Sequence, residues 1–201
     1  MMKIVLIGAT GLIGSGVYNL LSKEHQVVRV GNRSGDFQVN LADKESIEKL
    51  YQNVGSFDAV VCTAGLANFA PLQELTDDDF ELALSNKLMG QVNLVRIGEK
   101  YINDNGSFTL TSGVTGIEPI PGSSSISMVN QAIEGFARAA ALELGRNIRI
   151  NVVSPVFAKE SLEQMGMDTT GSMYANEFAP AYLESVVSKR NGEVLNVRDF
   201  V

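Results

Sequence analysis

The 201-residue chain sets 16 lysines and arginines against 23 acids, a formal net charge of −7. Its basic residues are scattered, so it would repel a nucleic-acid backbone, and no nucleic-acid partner is expected. One cysteine, Cys62, and one histidine, His25, give no basis for an intramolecular disulfide or a His/Cys metal site. The length suits one domain over 1–201, and 45% hydrophobic with 19% charged residues are ordinary globular values.

In chain order, short Val- and Ile-rich runs alternate with longer segments of helical period, the pattern of parallel strands joined by helices. The opening Met1-Met2-Lys3-Ile4-Val5-Leu6-Ile7 imitates a signal peptide, but it breaks at Gly8 with no small-x-small cleavage site. No apolar run reaches the roughly 20 residues that span a bilayer, so a cytoplasmic protein without a membrane partner is expected. Strands are predicted near 3–7, 27–30, 37–40, 58–62, 106–111, 148–153 and 193–197, and helices near 12–23, 44–53, 77–103, 126–145 and 175–188.

Six residues, Gly31 to Asp36, separate Val30 from Phe37, where a parallel crossover takes a dozen or more. At about 3.5 Å each they reach roughly 20 Å, enough to return along a short strand, so the helix between strands two and three is predicted to be missing. Thr76 followed by Asp77, Asp78 and Asp79 marks a helix start, with a capping hydroxyl and negative charge where the dipole favours it. The 126–145 helix carries Ala132, Gly135, Phe136, Ala139, Ala140 and Glu143 at i, i+3, i+4 spacing, a stripe of mostly small groups.

Between the first strand and first helix stands Gly8-Ala9-Thr10-Gly11-Leu12-Ile13-Gly14. Glycines there let the backbone turn tightly and a pyrophosphate lie against the helix N-terminus. A plain strand-to-helix turn has the same spacing. After the second strand, Gly31-Asn32-Arg33-Ser34 presents Asn32, Arg33 and Ser34 where NAD sites usually offer a carboxylate. This fits a 2′-phosphate and favours NADP(H) over NAD(H), with Asp36 several residues past the expected acid; a solvated arginine in a polar turn is the alternative.

Further pieces complete a pattern: Asn40-Leu41-Ala42-Asp43 after the third strand, Thr63-Ala64-Gly65 after the fourth, Asn86-Lys87-Leu88-Met89-Gly90, Leu110-Thr111-Ser112-Gly113, and Arg149-Ile150-Asn151-Val152-Val153-Ser154-Pro155. Together they resemble the short-chain dehydrogenase/reductase family over nearly the whole chain. The resemblance implies an α/β, Rossmann-type doubly wound parallel sheet of seven strands in the order 3-2-1-4-5-6-7. It places Asn40 and Leu41 at the adenine, Thr63, Ala64 and Gly65 along the cofactor, and Pro155 near the nicotinamide. Asn86 matches the asparagine supporting the family's proton relay, and Ser112 the serine that polarises the substrate carbonyl, though a serine there also serves loop backbone.

The family's Tyr-x-x-x-Lys is the departure. Asn130-Gln131-Ala132-Ile133-Glu134-Gly135-Phe136 aligns so that Ile126 takes the tyrosine position and Asn130 the lysine position, and Val156 replaces the glycine usual after Pro155. Isoleucine has no proton to give, and a neutral amide cannot depress a neighbour's pKa. Asn130 can still hydrogen-bond a ribose hydroxyl, so cofactor binding is separable from catalysis. Ser112, Ser123, Ser127, Tyr174 and Tyr182 are the candidate substitute donors.

Segment 156–174, with Gly166, Gly171, Phe157, Met165, Met167 and Met173, reads as a flap over an apolar pocket or as an ordinary surface loop. The expected function is an NADP(H)-binding oxidoreductase on a small carbonyl or alcohol with a non-standard proton donor. The alternatives are a catalytically silent NADP(H)-sensing or scaffold protein and, more weakly, an isomerase. The resemblance also implies a homodimer or homotetramer, and the substrate carries no recognisable signature.

Overall fold

A computed structural model describes residues 1–200. Seven strands, β1 (Lys3–Ile7), β2 (Gln26–Gly31), β3 (Phe37–Gln38), β4 (Phe57–Cys62), β5 (Ile102–Thr111), β6 (Arg149–Ser154) and β7 (Val194–Asn196), form one parallel sheet in the order β3-β2-β1-β4-β5-β6-β7. This is the expected Rossmann-type order. The strands are near-continuous apolar runs because both faces are covered. Val5 and Ile7 face a core shared with Val60, Phe108 and Ile150, whereas Ile4 and Leu6 face the opposite core with Ala59, Val61 and Val153.

Helices α1 (Leu12–Leu21) and α7 (Ala179–Val187) cover the second face. The first is covered by α2 (Lys44–Val54), α4 (Met89–Gly98) and α5 (Ser124–Glu143). The strand order reverses between β1 and β4, which opens a crevice at their C-terminal ends.

No helix lies between β2 and β3, as the short spacing requires: Val30 pairs directly with Phe37, and Gly31 with Gln38. The turn is possible because Gly35 sits at φ +111°, where a Cβ would lie 2.7 Å from the Arg29 carbonyl oxygen. β3 spans two residues instead of the expected 37–40, because the Asn40 backbone N–H donates to Ser46 Oγ and its side chain accepts from Ala42, bending the chain into α2.

The expected helix over 77–103 divides into α3 (Asp77–Leu82), a π-helical segment at Ala83–Leu88, and α4. It ends early. Ile102 already pairs with Phe57; the polar Asn103-Asp104-Asn105-Gly106 then bulges outward, with Asn105 at φ +63°, before Ser107 pairs with Ala59. Periodicity predicts a helix through Tyr101 and Ile102, but Tyr101 lies half-buried in a turn against the core and Ile102 joins the sheet. The expected 126–145 helix starts and ends two residues sooner, and 175–188 opens as a 3-10 turn (Ala175–Phe178). A short unforeseen helix, α6 (Lys159–Gln164), lies within 156–174. Among the described residues, no helix is long and apolar enough to cross a membrane, and no group of three or more His, Cys, Asp or Glu is placed to hold a metal.

Candidate functional site

The glycine loop closes tightly on α1. Gly8 adopts φ +85°, with Thr63 Oγ1 2.7 Å from where its Cβ would be, and a Cβ on Gly14 would stand 2.0 Å from the Gly8 carbonyl oxygen. Only glycine fits at either point. α1 begins directly after Gly11, and no side chain caps its first-turn N–H groups, so these donors and the helix dipole face the loop. That cradle fits a pyrophosphate.

Beside it, Gly8, Gly31, Asn32, Leu41, Gly65 and Asn86 help line a groove of about 150 Å³. Ala64 lines it too, while Asn40 also holds its own turn. Ser34 Oγ donates to Thr10 Oγ1 at 3.0 Å, joining the turn after β2 to the glycine loop. Asp36 is occupied: it accepts from the Arg29 backbone at 2.9 Å and from its guanidinium at 2.8 Å, contacts that hold the carboxyl below its usual range. Arg33 is exposed at the same turn.

A second cavity, about 280 Å³, brings Leu12, Ile13, Thr63, Ser112, Asn130 and Pro155 together, with Ile126 and Val156 in its wall. Asn130 is 1% exposed; its Nδ2 donates to Thr115 Oγ1 at 3.0 Å, whereas its Oδ1 has no partner. A buried acceptor left unsatisfied costs about 1–3 kcal/mol, and a ligand hydroxyl would satisfy it. Neither Ile126 nor any of the five tyrosines gives this cavity a phenol among the described residues.

Ser112 is tied down on two sides. Its Oγ donates to Glu134 Oε1 at 3.0 Å, and its carbonyl accepts from Lys87 Nζ at 3.3 Å. Glu134 is fully buried and takes its other bond from Arg138 at 3.2 Å. Burial lowers the Lys87 ammonium to about 8, with Cys62 acting in the opposite direction. Asn86 itself faces the groove, where its Oδ1 accepts from the Leu66 N–H; the side chain reaching the serine is its neighbour, Lys87.

Sequence reasoning missed both charges. The available signal was spacing, since Glu134 lies four residues after Asn130 and shares its helix face.

The other candidate donors are elsewhere. Tyr182 is buried in the core with its hydroxyl 2.8 Å from Thr111 Oγ1, and burial raises its pKa. Tyr174 stands at the surface, its hydroxyl accepting from Lys159 Nζ at 3.1 Å. Ser123 Oγ donates to the Ile120 carbonyl and Ser127 Oγ to Ser123. None lines the cavity.

Segment 156–174 covers a further cavity of about 480 Å³ that shares Val114, Thr115, Val156 and Phe157 with the first. Leu162, Met167 and Met173 make much of its wall; of its charged residues, Glu118 and Arg198 bond each other at 2.9 Å, and Asp168 accepts from the Thr170 backbone and hydroxyl.

A glycine loop at the switch point of this parallel sheet, opening onto a cleft bounded by Ser112 and Asn130, defines a dinucleotide-type α/β site. The chain belongs to the short-chain dehydrogenase/reductase family of oxidoreductases: the family model described as enoyl-(acyl carrier protein) reductase matches residues 19–198. It is similar to the 3-oxoacyl-[acyl-carrier-protein] reductase FabG of Thermotoga maritima, with 29% identity over 165 residues, covering 78% of this chain and 67% of that one. It spans about half the length of several other curated relatives it matches. Among solved structures, lin1944 of Listeria innocua is 42% identical with a TM-score of 0.94, covering 98% of this chain and 100% of that one. A small-chain dehydrogenase crystallised in complex with NADPH is 25% identical with a TM-score of 0.85, covering 96% and 95%.

Proposed function

We propose that this protein binds NADP(H) and is an oxidoreductase acting on a small apolar carbonyl or alcohol, with a proton donor other than tyrosine. The observation that carries the cofactor choice is the state of Asp36. Its carboxylate is bound by the Arg29 backbone and guanidinium, which compete with a ribose diol for it, and the exposed Arg33 and the Thr10–Ser34 bridge on the same turn offer a cation and hydroxyls that would suit a 2′-phosphate. The NADPH complex of a relative with this fold agrees.

Bound there, the nicotinamide would supply or accept hydride. Gly8, Gly11 and the first turn of α1 would hold the pyrophosphate, and the open Oδ1 of Asn130 would take a ribose hydroxyl. The joined cavities present largely apolar walls, Glu118 and Arg198 satisfy each other, and Asp168 adds a negative charge, so an uncharged apolar substrate fits better than a carboxylate or phosphate.

A second reading, a catalytically silent NADP(H) sensor or scaffold, is favoured by Ile126 and Asn130 in the cavity wall. Assembly as a homodimer or homotetramer is part of the proposal, supported by the exposure of Met128 and Leu142 on α5; light scattering showing a monomer at micromolar concentration contradicts it. Calorimetric titration with NADPH and with NADH tests the main reading. Preference for NADPH supports it, and binding of neither overturns it.

A further inference from the structure

We infer that Thr115, rather than Ser112, is the hydroxyl that recognises the substrate oxygen, donating a hydrogen bond to the carbonyl of a neutral, apolar ketone while keeping its own proton. The inference rests on the oxidoreductase reading and names the polar contact of that site. Thr115 lies in the 3-10 turn after β5 (Val114–Gly116) and is 3% exposed. It lines both the cavity beside Asn130 and the larger one under segment 156–174, so it stands where the two meet.

A hydroxyl carries one hydrogen and two lone pairs. The Ser112 hydrogen is spent on the Glu134 carboxylate at 3.0 Å, which leaves Ser112 only acceptor capacity toward the cavity. Thr115 is arranged the other way round. Its Oγ1 accepts from Asn130 Nδ2 at 3.0 Å, and among the described residues no acceptor takes its hydrogen. Leaving a buried donor without an acceptor is costly, and a ketone oxygen supplies the acceptor without bringing a charge into largely apolar walls.

The turn holds this hydroxyl in place. The Val114 N–H donates to the Pro155 carbonyl at 2.9 Å, the Glu118 N–H donates to the Val114 carbonyl at 2.8 Å, and Gly116 packs so closely on α5 that a Cβ there would lie 3.3 Å from the Asn130 Cβ. A donor fixed in advance needs no reorganisation when negative charge grows on the substrate oxygen, so its bond strengthens in the transition state. With a ribose hydroxyl on the open Oδ1 of Asn130, one amide would link cofactor to substrate through Nδ2 and Thr115, and hydrogen bonds in such a chain polarise one another.

The test uses the full chain, Thr115→Val, which keeps the branched shape without the hydroxyl, and Thr115→Ser, which restores it. Acetophenone and cyclohexanone are titrated into the NADP⁺-loaded proteins, where no hydride is available, and the ketone stretch is read by isotope-edited infrared spectroscopy. NADPH oxidation with the same ketones gives kcat and KM. The expected result is a stretch moved to lower wavenumber in wild type and Thr115→Ser but not in Thr115→Val, equal NADP⁺ affinity in all three, and a kcat lower by about 10²–10³-fold in Thr115→Val alone. The same lowered stretch in Thr115→Val overturns the assignment and gives the contact to the Asn130 amide. A wild type that binds NADP⁺ but neither ketone overturns it too, and loss of NADP⁺ affinity in Thr115→Val makes Thr115 a support for Asn130 and rejects it as the substrate donor. A wild type that binds no NADP⁺, or binds NADP⁺ and ketone yet oxidises no NADPH, refutes the underlying reading instead.

Discussion

Lys87 Nζ donates to the Ser112 carbonyl oxygen at 3.3 Å from a side chain only 7% exposed, and among the described residues no carboxylate pairs with it. Removing an ammonium from water without a counter-charge favours its neutral form, which is why its pKa falls from 10.5 to about 8.

The consequence for stability has a definite sign. Between about pH 8 and 10.5 the unfolded chain holds a proton on Lys87 that the folded chain has released, so stability attributable to this residue rises with pH across that window. At about 1.4 kcal/mol per pH unit, the full effect is on the order of 3 kcal/mol. Lys87→Met should therefore be more stable than wild type at pH 7, with the gap closing toward pH 10.5. Cys62, raised by burial to about 11, destabilises both proteins above pH 9 and largely cancels in the comparison. Thermal melts of the two proteins across pH check this, and a gap that widens with pH contradicts it.

Tyr182→Phe should cost stability and leave turnover unchanged. Thr111 Oγ1 gives its hydrogen to the Cys62 carbonyl at 2.6 Å, so the Tyr182 hydroxyl must donate to Thr111. Losing one buried hydrogen bond without stranding a donor costs about 1 kcal/mol in a urea melt. A large fall in kcat at unchanged NADPH affinity would instead make this tyrosine the proton donor.

Gly14→Ala should be among the most damaging single-methyl additions. The new Cβ would stand 2.0 Å from the Gly8 carbonyl oxygen, which is backbone and cannot swing aside. The loop would have to lift from α1, at about 1–3 kcal/mol or more, with loss of dinucleotide binding. Gly135→Ala, at a helix position with nothing within 4 Å, is the control and should be neutral or slightly stabilising. Equal melting temperatures for the two variants would contradict this account.

How far the sequence reached depended on how local each determinant is. Seven strands, the missing crossover helix and the glycine loop were legible because each is set by consecutive residues, such as the short Gly31–Asp36 link. The end of the 77–103 helix was not, because Tyr101 and Ile102 continue a helical period while sheet pairing with Phe57 takes Ile102 away. On the site, Ser112, Asn130, Thr63 and Pro155 do meet in one cavity. Glu134 and Lys87 escaped notice because a lone acid or lysine within a helix reads as a solvated face, and only the packing of α5 and the π-helical segment against β5 brings both to Ser112.

Whether the turn after β2 reads a 2′-phosphate is decided by calorimetric titration of wild type and Arg33→Ala with NADPH and with NADH. The variant should lose roughly tenfold or more in NADPH affinity, about the worth of one charge-assisted contact, with NADH binding essentially unchanged. Equal NADPH affinity in the two proteins, or tighter binding of NADH by the wild type, would contradict it.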